Sequence, residues 1–530
     1  MPDQVGPQAG TGSRLMSPKA ALSVANGVLG ALLGTTALVF IAQNLGPGTL
    51  GTLGYAMVII GMLSFLSDFG VGSVHAMHIR TSPDVSKCIG AYAAIRLVLV
   101  GVFALVTFIL IEAWKDGLVG GEMTTDTGPA EALIDSMYIF LVYYILLGIS
   151  QIATHTFDAL DAHAKVYVPS LLELLVRVSF IVYIATSTWG QGQDAPALLA
   201  SAYAAGMICS MLLIAMLMRR YRISMPNASI IRGYIVSLVP VFVVSIIIFL
   251  DLYLDKAVVG YFCGETELGL YFGVQKMAVF VSVFSLSVAA LILPSVTTYF
   301  IRKDVGASWD VVNQAERYVS LVVIPTAAFY LFYGGDILRV FLGDEFVPAA
   351  TTMAILVLSS AVIALVLPLR SVIVGVGMPR TLFEIGVVGV VIQLTVMLVL
   401  VPDSLLGIDM LGMKGRGAAI ALLVTSTYYF FVLRYMAWRT GKILPGPRSF
   451  LHLISAITMI GAMYVVDWLI IPAVDWPALV LLAVVGCTVY GLTAYVMGEL
   501  ESSDYRYFRA MLNPQDTIQY VVNELIGKRV

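Results

Sequence analysis

The sequence predicts an all-α polytopic membrane protein of about fourteen transmembrane helices, in two six-helix lobes followed by two C-terminal helices. Three observations predict it. Of the 530 residues, 59% are hydrophobic and only 12% charged, about half the ~25% of a soluble chain. Apolar runs of about 20 residues, the length that crosses the hydrocarbon, recur from residue 20 to residue 498. Lys and Arg gather in every second turn between those runs. The net charge of −3 suggests no nucleic-acid partner. Cys88, Cys209, Cys263 and Cys487 lie in or beside apolar segments without CxxC or metal spacing. Neither a disulfide framework, a metal nor a cofactor is therefore expected.

Residues 1–19 are polar and Gly/Pro-rich and are expected to form a cytoplasmic tail. They do not read as a cleavable signal, because the first apolar run is long enough to span. The apolar segments fall at 20–44, 53–78, 88–114, 134–157, 166–188, 197–218, 234–260, 270–300, 315–335, 349–375, 380–401, 415–438, 450–471 and 477–498. Residues 20–222 are expected to be the N-terminal lobe, 232–440 the C-terminal lobe, and 449–498 the additional pair. The longest connection, around 115–131, is too short for a soluble domain. In the cytoplasmic tail, 499–530, Ile518, Val521, Val522, Leu525 and Ile526 recur at helical spacing after Asn513-Pro514. A helix on the inner membrane surface and a short helix docked on the bundle fit that pattern equally.

Orientation follows from the basic residues. With the N-terminus inside, 21 of the 30 Lys and Arg fall in inner segments and four (Lys115, Arg339, Lys414, Arg416) in outer ones. One missed helix would scramble that alternation, so both termini are expected in the cytoplasm of a multi-pass cell-membrane protein.

The chain also repeats itself. A shift of 218 residues places Gly46, Leu50 and Gly51 on Gly264, Leu268 and Gly269, in a turn between two long apolar segments each time. The basic cluster Arg219, Arg220, Arg222 has a counterpart in Arg434 and Arg439. Two parallel six-helix repeats are a transporter architecture, with the substrate site between them.

The same residues carry a resemblance. Gln43-Asn44-Leu45-Gly46-Pro47 with Leu50-Gly51 resembles the turn after the first helix of oligosaccharide flippases. These are the Wzx-type members of the multidrug/oligosaccharidyl-lipid/polysaccharide exporter superfamily. Leu66-Ser67-Asp68-Phe69-Gly70-Val71-Gly72 is similar to the end of their second helix, and Asp255 to Gly260 with Leu268 to Tyr271 to their seventh. Leu293-Pro294, Gly343 to Ala349, Gly375 to Arg380 and Gly415 to Ala421 continue the match in order, over residues 20–440. Met378 departs from it, where a Lys is common. The resemblance implies two lobes around a central cavity. It further implies transport, without covalent chemistry, of a polyprenyl-phosphate- or diphosphate-linked sugar from the inner to the outer leaflet.

Charges inside spans are costly and mark function by default. Five cations lie there: Arg96, Arg177, Lys256, Lys276 and Arg370. Each is a candidate for the substrate phosphate, Arg through its fork of donors and Lys as a point charge. Arg96 has no acid within a turn and is the foremost of them. Arg177 follows Glu173 by four residues and is as well explained by pairing with it. Lys276 and Arg370 can also anchor at an interface, and Lys256 need not pair with Asp255, its neighbour in sequence. Asp251 and Asp255 share a helix face, where like charges raise a proton affinity. They are candidates for coupling to H+ or Na+, with pairing to Lys276 as the other explanation. Asp68 reads as a cap or helix-to-helix contact. His155, Asp158 and Asp161 read as a latch against Arg302 or Arg370, or as a plain polar end. Tyr143-Tyr144 and Tyr428 to Phe431 can stack on sugars, though packing is commoner for such residues.

Two other functions compete. A cation-coupled multidrug exporter of the same superfamily would bind cationic drugs with acids, and five intramembrane cations oppose that. A membrane glycosyltransferase or polymerase would need an extramembrane catalytic loop, and no segment is long enough.

Overall fold

A computed structural model describes residues 18–82, 84–116, 130–301, 305–442, 448–469, 475–499 and 522–524. The N-terminal tail, the 117–129 connection and most of the C-terminal amphipathic stretch lie outside the described residues. What is described is almost wholly helical: α1 (Pro18–Leu63), α2 (Phe65–Asp68), α3 (Val71–Thr81), α4 (Val85–Lys115), α5 (Ala130–Ala159), α6 (Ala164–Thr186) and α7 (Ala195–Met218) come first. Then follow α8 (Ala228–Ile301), α9 (Val305–Leu342), α10 (Ala350–Gly375), α11 (Pro379–Leu400), α12 (Lys414–Gly441), α13 (Arg448–Leu469) and α14 (Trp476–Val496). Backbone groups in lipid must be bonded internally, which leaves helices as the economical solution.

Eleven described stretches are long and apolar enough to cross a membrane. One of them, Asn26–Thr81, is 56 residues long and breaks at Gly46 (φ 74°, ψ 178°). The 74-residue α8 breaks in the same way at Gly264 (φ 81°, ψ −179°). Divided at these two breaks, the helical chain carries every apolar segment read from the sequence, in order. The structure thus supports an all-α polytopic membrane protein.

The two breaks are the same device, 218 residues apart. Their positive φ is open to glycine without steric cost, and Pro47 follows the first, where a missing N–H is harmless. Beyond each break the two helices cross with backbones in contact. A Cβ on Gly51 would sit 1.8 Å from the Glu265 carbonyl oxygen, and one on Gly269 would sit 1.9 Å from that of Pro47. Leu50 and Leu268 are buried at the crossing. Thr52 donates to the Glu265 carboxylate at 2.7 Å, and the Gln43 amide donates to the carbonyls of Val340 and Phe341 at 3.0 and 3.1 Å. Among the described elements, α1 and α8 make the most extensive contact.

Around it, α1 packs on α5, α6 and α7, and the rest of α8 on α9 to α12. The second apolar segment is not one smooth helix. Phe69 (φ 44°) and Gly70 (φ 76°) divide α2 from α3, and Val241 and Ser245 of α8 lie 2.5 Å from where a Gly70 Cβ would stand. Between α11 and α12 two short antiparallel strands, β1 (Ser404–Leu405) and β2 (Ile408–Asp409), close the turn. No periodicity in two-residue strands announces them. At the other end, α13 and α14 dock on α9 through polar contacts: Arg317 meets Glu499 at 3.1 Å, and Ser320 meets His452 at 2.8 Å.

Candidate functional site

A cavity of about 330 Å³ lies between α1 and the part of α8 beyond Gly264, with α5, α6 and α7 closing its wall. Gly30, Ala31, Gly34 and Ala37 keep the α1 side low, so space remains where larger side chains would meet. Two cations line it: Arg177 from α6 and Lys276 from α8. They stand 99 residues apart in sequence, in different halves of the repeat. The Arg177 guanidinium pairs with Glu173 at 3.1 Å and lies 4.7 Å from the centre of the Tyr203 ring. Tyr143 adds a hydroxyl contact. The Lys276 ammonium lies over the Phe272 ring at 5.2 Å, and among the described residues it has no acidic partner at ion-pair distance. Its side chain is exposed, facing the cavity, and the charges of Lys256 and Arg177 both act on it. The wall thus combines an incompletely neutralised positive charge, aromatic faces and an apolar floor.

The other expected site residues sit elsewhere. Arg96 does not line this cavity. It is fully buried, ion-paired with Asp68, and it donates from Nε to the Gly148 carbonyl at 3.1 Å. The expectation of an unpartnered Arg96 counted only acids within one turn of its own helix. The break at Phe69-Gly70 turns Asp68 of α2 toward α4, and that cannot be read from helical spacing. Lys256, expected to diverge from its neighbour, pairs with Asp255 at 2.9 Å. Asp255 also accepts from the Tyr271 hydroxyl at 2.9 Å and from the Gln275 amide at 2.6 Å. This buried carboxylate joins the two parts of α8 across the Gly264 break. Lys276, the alternative partner named for Asp251 and Asp255, takes neither. Asp251 instead lies within electrostatic reach of Arg370, and Tyr429 feels both charges. The two aspartates still repel each other, but each has its own cationic neighbour.

Among the described residues, His155, Asp158 and Asp161 form no ion pair with Arg370. Asp161 faces Arg80 at 3.8 Å, Asp158 faces His163 at 3.3 Å, and the His155 ring meets the Tyr92 hydroxyl at 2.8 Å. Arg302 lies outside the described residues. Tyr203 and Phe272, which face the two cavity cations, were not singled out from the sequence. A Tyr or Phe in an apolar helix carries no signal of the face it takes.

Fold and cavity together define a class: an all-α polytopic membrane protein with a cation-lined pocket between α1 and α8. Known proteins share the fold. The fold is that of a multidrug resistance MATE family transporter of the MOP superfamily in an inward-facing conformation, at 15% identity and a TM-score of 0.62, over 81% of this chain and 99% of that one. It is also that of the lipid II flippase MurJ in an inward closed conformation, at 12% identity and a TM-score of 0.69, over 90% and 98%. A probable low-salt glycan biosynthesis flippase, Agl15 of Haloferax volcanii, is 22% identical over 343 residues. That match takes in 63% of this chain and 66% of the relative, just under two thirds of its length. The model of the polysaccharide biosynthesis protein family matches residues 19–300, more than half of the chain. The chain belongs to that family.

Proposed function

We propose that the protein is a flippase that carries a polyprenyl-phosphate- or diphosphate-linked oligosaccharide across the cell membrane by alternating access, for cell-surface polysaccharide or glycoprotein assembly. The observation that carries this is the pairing of Arg177 and Lys276 in one cavity between the two halves. A phosphate leaving the headgroup region loses hydration, and cations on an aromatic, apolar wall offset that loss. Tyr143 and Tyr203 offer stacking faces to a sugar. The lobes are residues 20–222 and 232–440, with 449–498 as an added pair, and both termini are cytoplasmic. In that orientation the Gly51–Gly269 crossing lies on the outer side. Membership of a polysaccharide biosynthesis family and the name of the Haloferax relative support the substrate class. No covalent step is required.

The test is translocation by the purified protein. In liposomes loaded with a fluorescent polyprenyl-diphosphate oligosaccharide in both leaflets, the protein should expose the inner-leaflet pool to an external glycosidase. No exposure, with correctly inserted protein, sinks the proposal. In the host, a deletion strain should accumulate the cytoplasm-facing lipid-linked glycan at normal synthesis rates; arrest at an earlier sugar would mean an enzyme. Impermeant labelling of Asp194→Cys from outside, but not of Arg222→Cys, checks the orientation.

A further inference from the structure

A buried polar network on the opposite side of the first half from the cavity is not used by the mechanism above. His75 of α3 is fully buried. Its Nδ1 lies 2.8 Å from the Tyr234 hydroxyl and its Nε2 lies 2.9 Å from the Thr156 hydroxyl. Tyr234 belongs to the start of α8, in the second half of the repeat, so this ring joins the two halves. The Tyr234 hydroxyl has one proton, and the Cys88 carbonyl, which can only accept, lies 3.2 Å away. With that proton on the carbonyl, the hydroxyl oxygen accepts from His75 Nδ1–H, and the neutral ring is assigned to that tautomer. The Thr156 hydroxyl has two acceptors in reach: His75 Nε2, and the Ile152 carbonyl at 2.6 Å.

That arrangement has a consequence for proton binding. With neutral His75, Thr156 donates to Nε2. With protonated His75, Nε2 donates to the Thr156 oxygen and the hydroxyl turns to Ile152. One rotation of one hydroxyl satisfies every hydrogen bond in both states, so no polar group is left unpaired in either. The Tyr92 ring is stacked on the imidazole at 4.1 Å, a face that attracts a cation. Among the described residues, no carboxylate touches His75. The charged groups beyond it are His78 on its own helix, His155 and Asp158 on α5, and the Arg96–Asp68 pair from α4 and α2. A buried charge without a contacting acid is costly, so tight docking of α8 holds the ring neutral, and withdrawal of α8 opens it to water.

We propose that His75 is a proton-binding site whose occupancy is coupled to the docking of the start of α8 on α3. It links proton entry to the rearrangement of the two halves, and in this it rests on the alternating-access reading. Protonation favours the undocked arrangement, so acid pH separates α3 from α8. Spin labels at Arg80→Cys and Arg232→Cys, in the full chain with its four cysteines replaced, report that separation without any substrate. Between pH 8 and pH 5 the distance distribution should shift to longer values along a one-proton curve. His75→Gln should abolish the shift. Tyr234→Phe keeps the stacking on His78 and loses only the hydroxyl. It should raise the midpoint by about one pH unit, and it serves if His75→Gln does not fold. A shift that survives in His75→Gln, one lost instead in His155→Gln, or none in the unaltered protein overturns the proposal. These distances do not depend on glycan transport, so failure of the flippase assay leaves them to be judged alone.

Discussion

Arg96 and Arg177 look alike in sequence: each lies inside an apolar segment of the first half. The structure separates them. Arg96 is enclosed, and its partners are a carboxylate and a carbonyl of the same half. Arg177 has an acid one helical turn away but keeps a face on a cavity that a helix from the other half completes. An intramembrane charge therefore signals function only when part of its surface opens on a space another molecule can enter. Arg96, itself without exposure, holds helices together through Asp68, whereas Arg177 keeps a face on the cavity and can exchange partners.

Substitutions break or sharpen that contrast. The largest effect is expected at Arg96→Ala, which leaves Asp68 without its partner; as that carboxylate is 26% exposed, the cost should fall at or below the lower end of the roughly 3–5 kcal/mol for a buried pair. Thermal unfolding in detergent checks it; a normal melting temperature would mean that the pair is dispensable. Next comes Lys276→Gln, which should fold normally but lower translocation roughly 10- to 100-fold. That is the range for removing one charge-assisted contact worth about 1.5–3 kcal/mol. Lys276→Arg should recover part of it. The double change Glu173→Gln with Arg177→Gln removes a charge pair without leaving an orphan and should cost about tenfold in translocation, with little change in melting. Equal transport in the double variant would move Arg177 to the structural class beside Arg96. The smallest effect is at Arg380, exposed and paired with Glu384 at 3.0 Å. Arg380→Ala should change stability by less than about 0.5 kcal/mol.

Much of the fold was legible because its causes are local. Segment lengths follow from bilayer thickness, and the turn residues Gly46 and Gly264 follow from the backbone angles they must adopt. The 218-residue repeat showed through because glycine is required at the same crossing twice. The site was legible as residue types but not as a grouping. Arg177 and Lys276 were both named, yet nothing in their spacing says that α1 leaves room between them. Asp255 was named as a coupling acid, whereas its oxygens are taken by Lys256, Tyr271 and Gln275.

The sequence by itself determined the solvent of this chain, its helical character and the repeated break at two glycines, because these depend on hydrophobicity and backbone sterics over a few neighbouring residues. The Glu173–Arg177 pair follows from helical spacing, but tertiary structure decided which charges meet partners distant in sequence. Asp68 reaches Arg96 because a left-handed kink at Phe69-Gly70 redirects the chain, and Tyr234 reaches His75 from 159 residues away. Both contacts depend on how helices distant in sequence cross, and an apolar helix carries no mark of the helix that will face it.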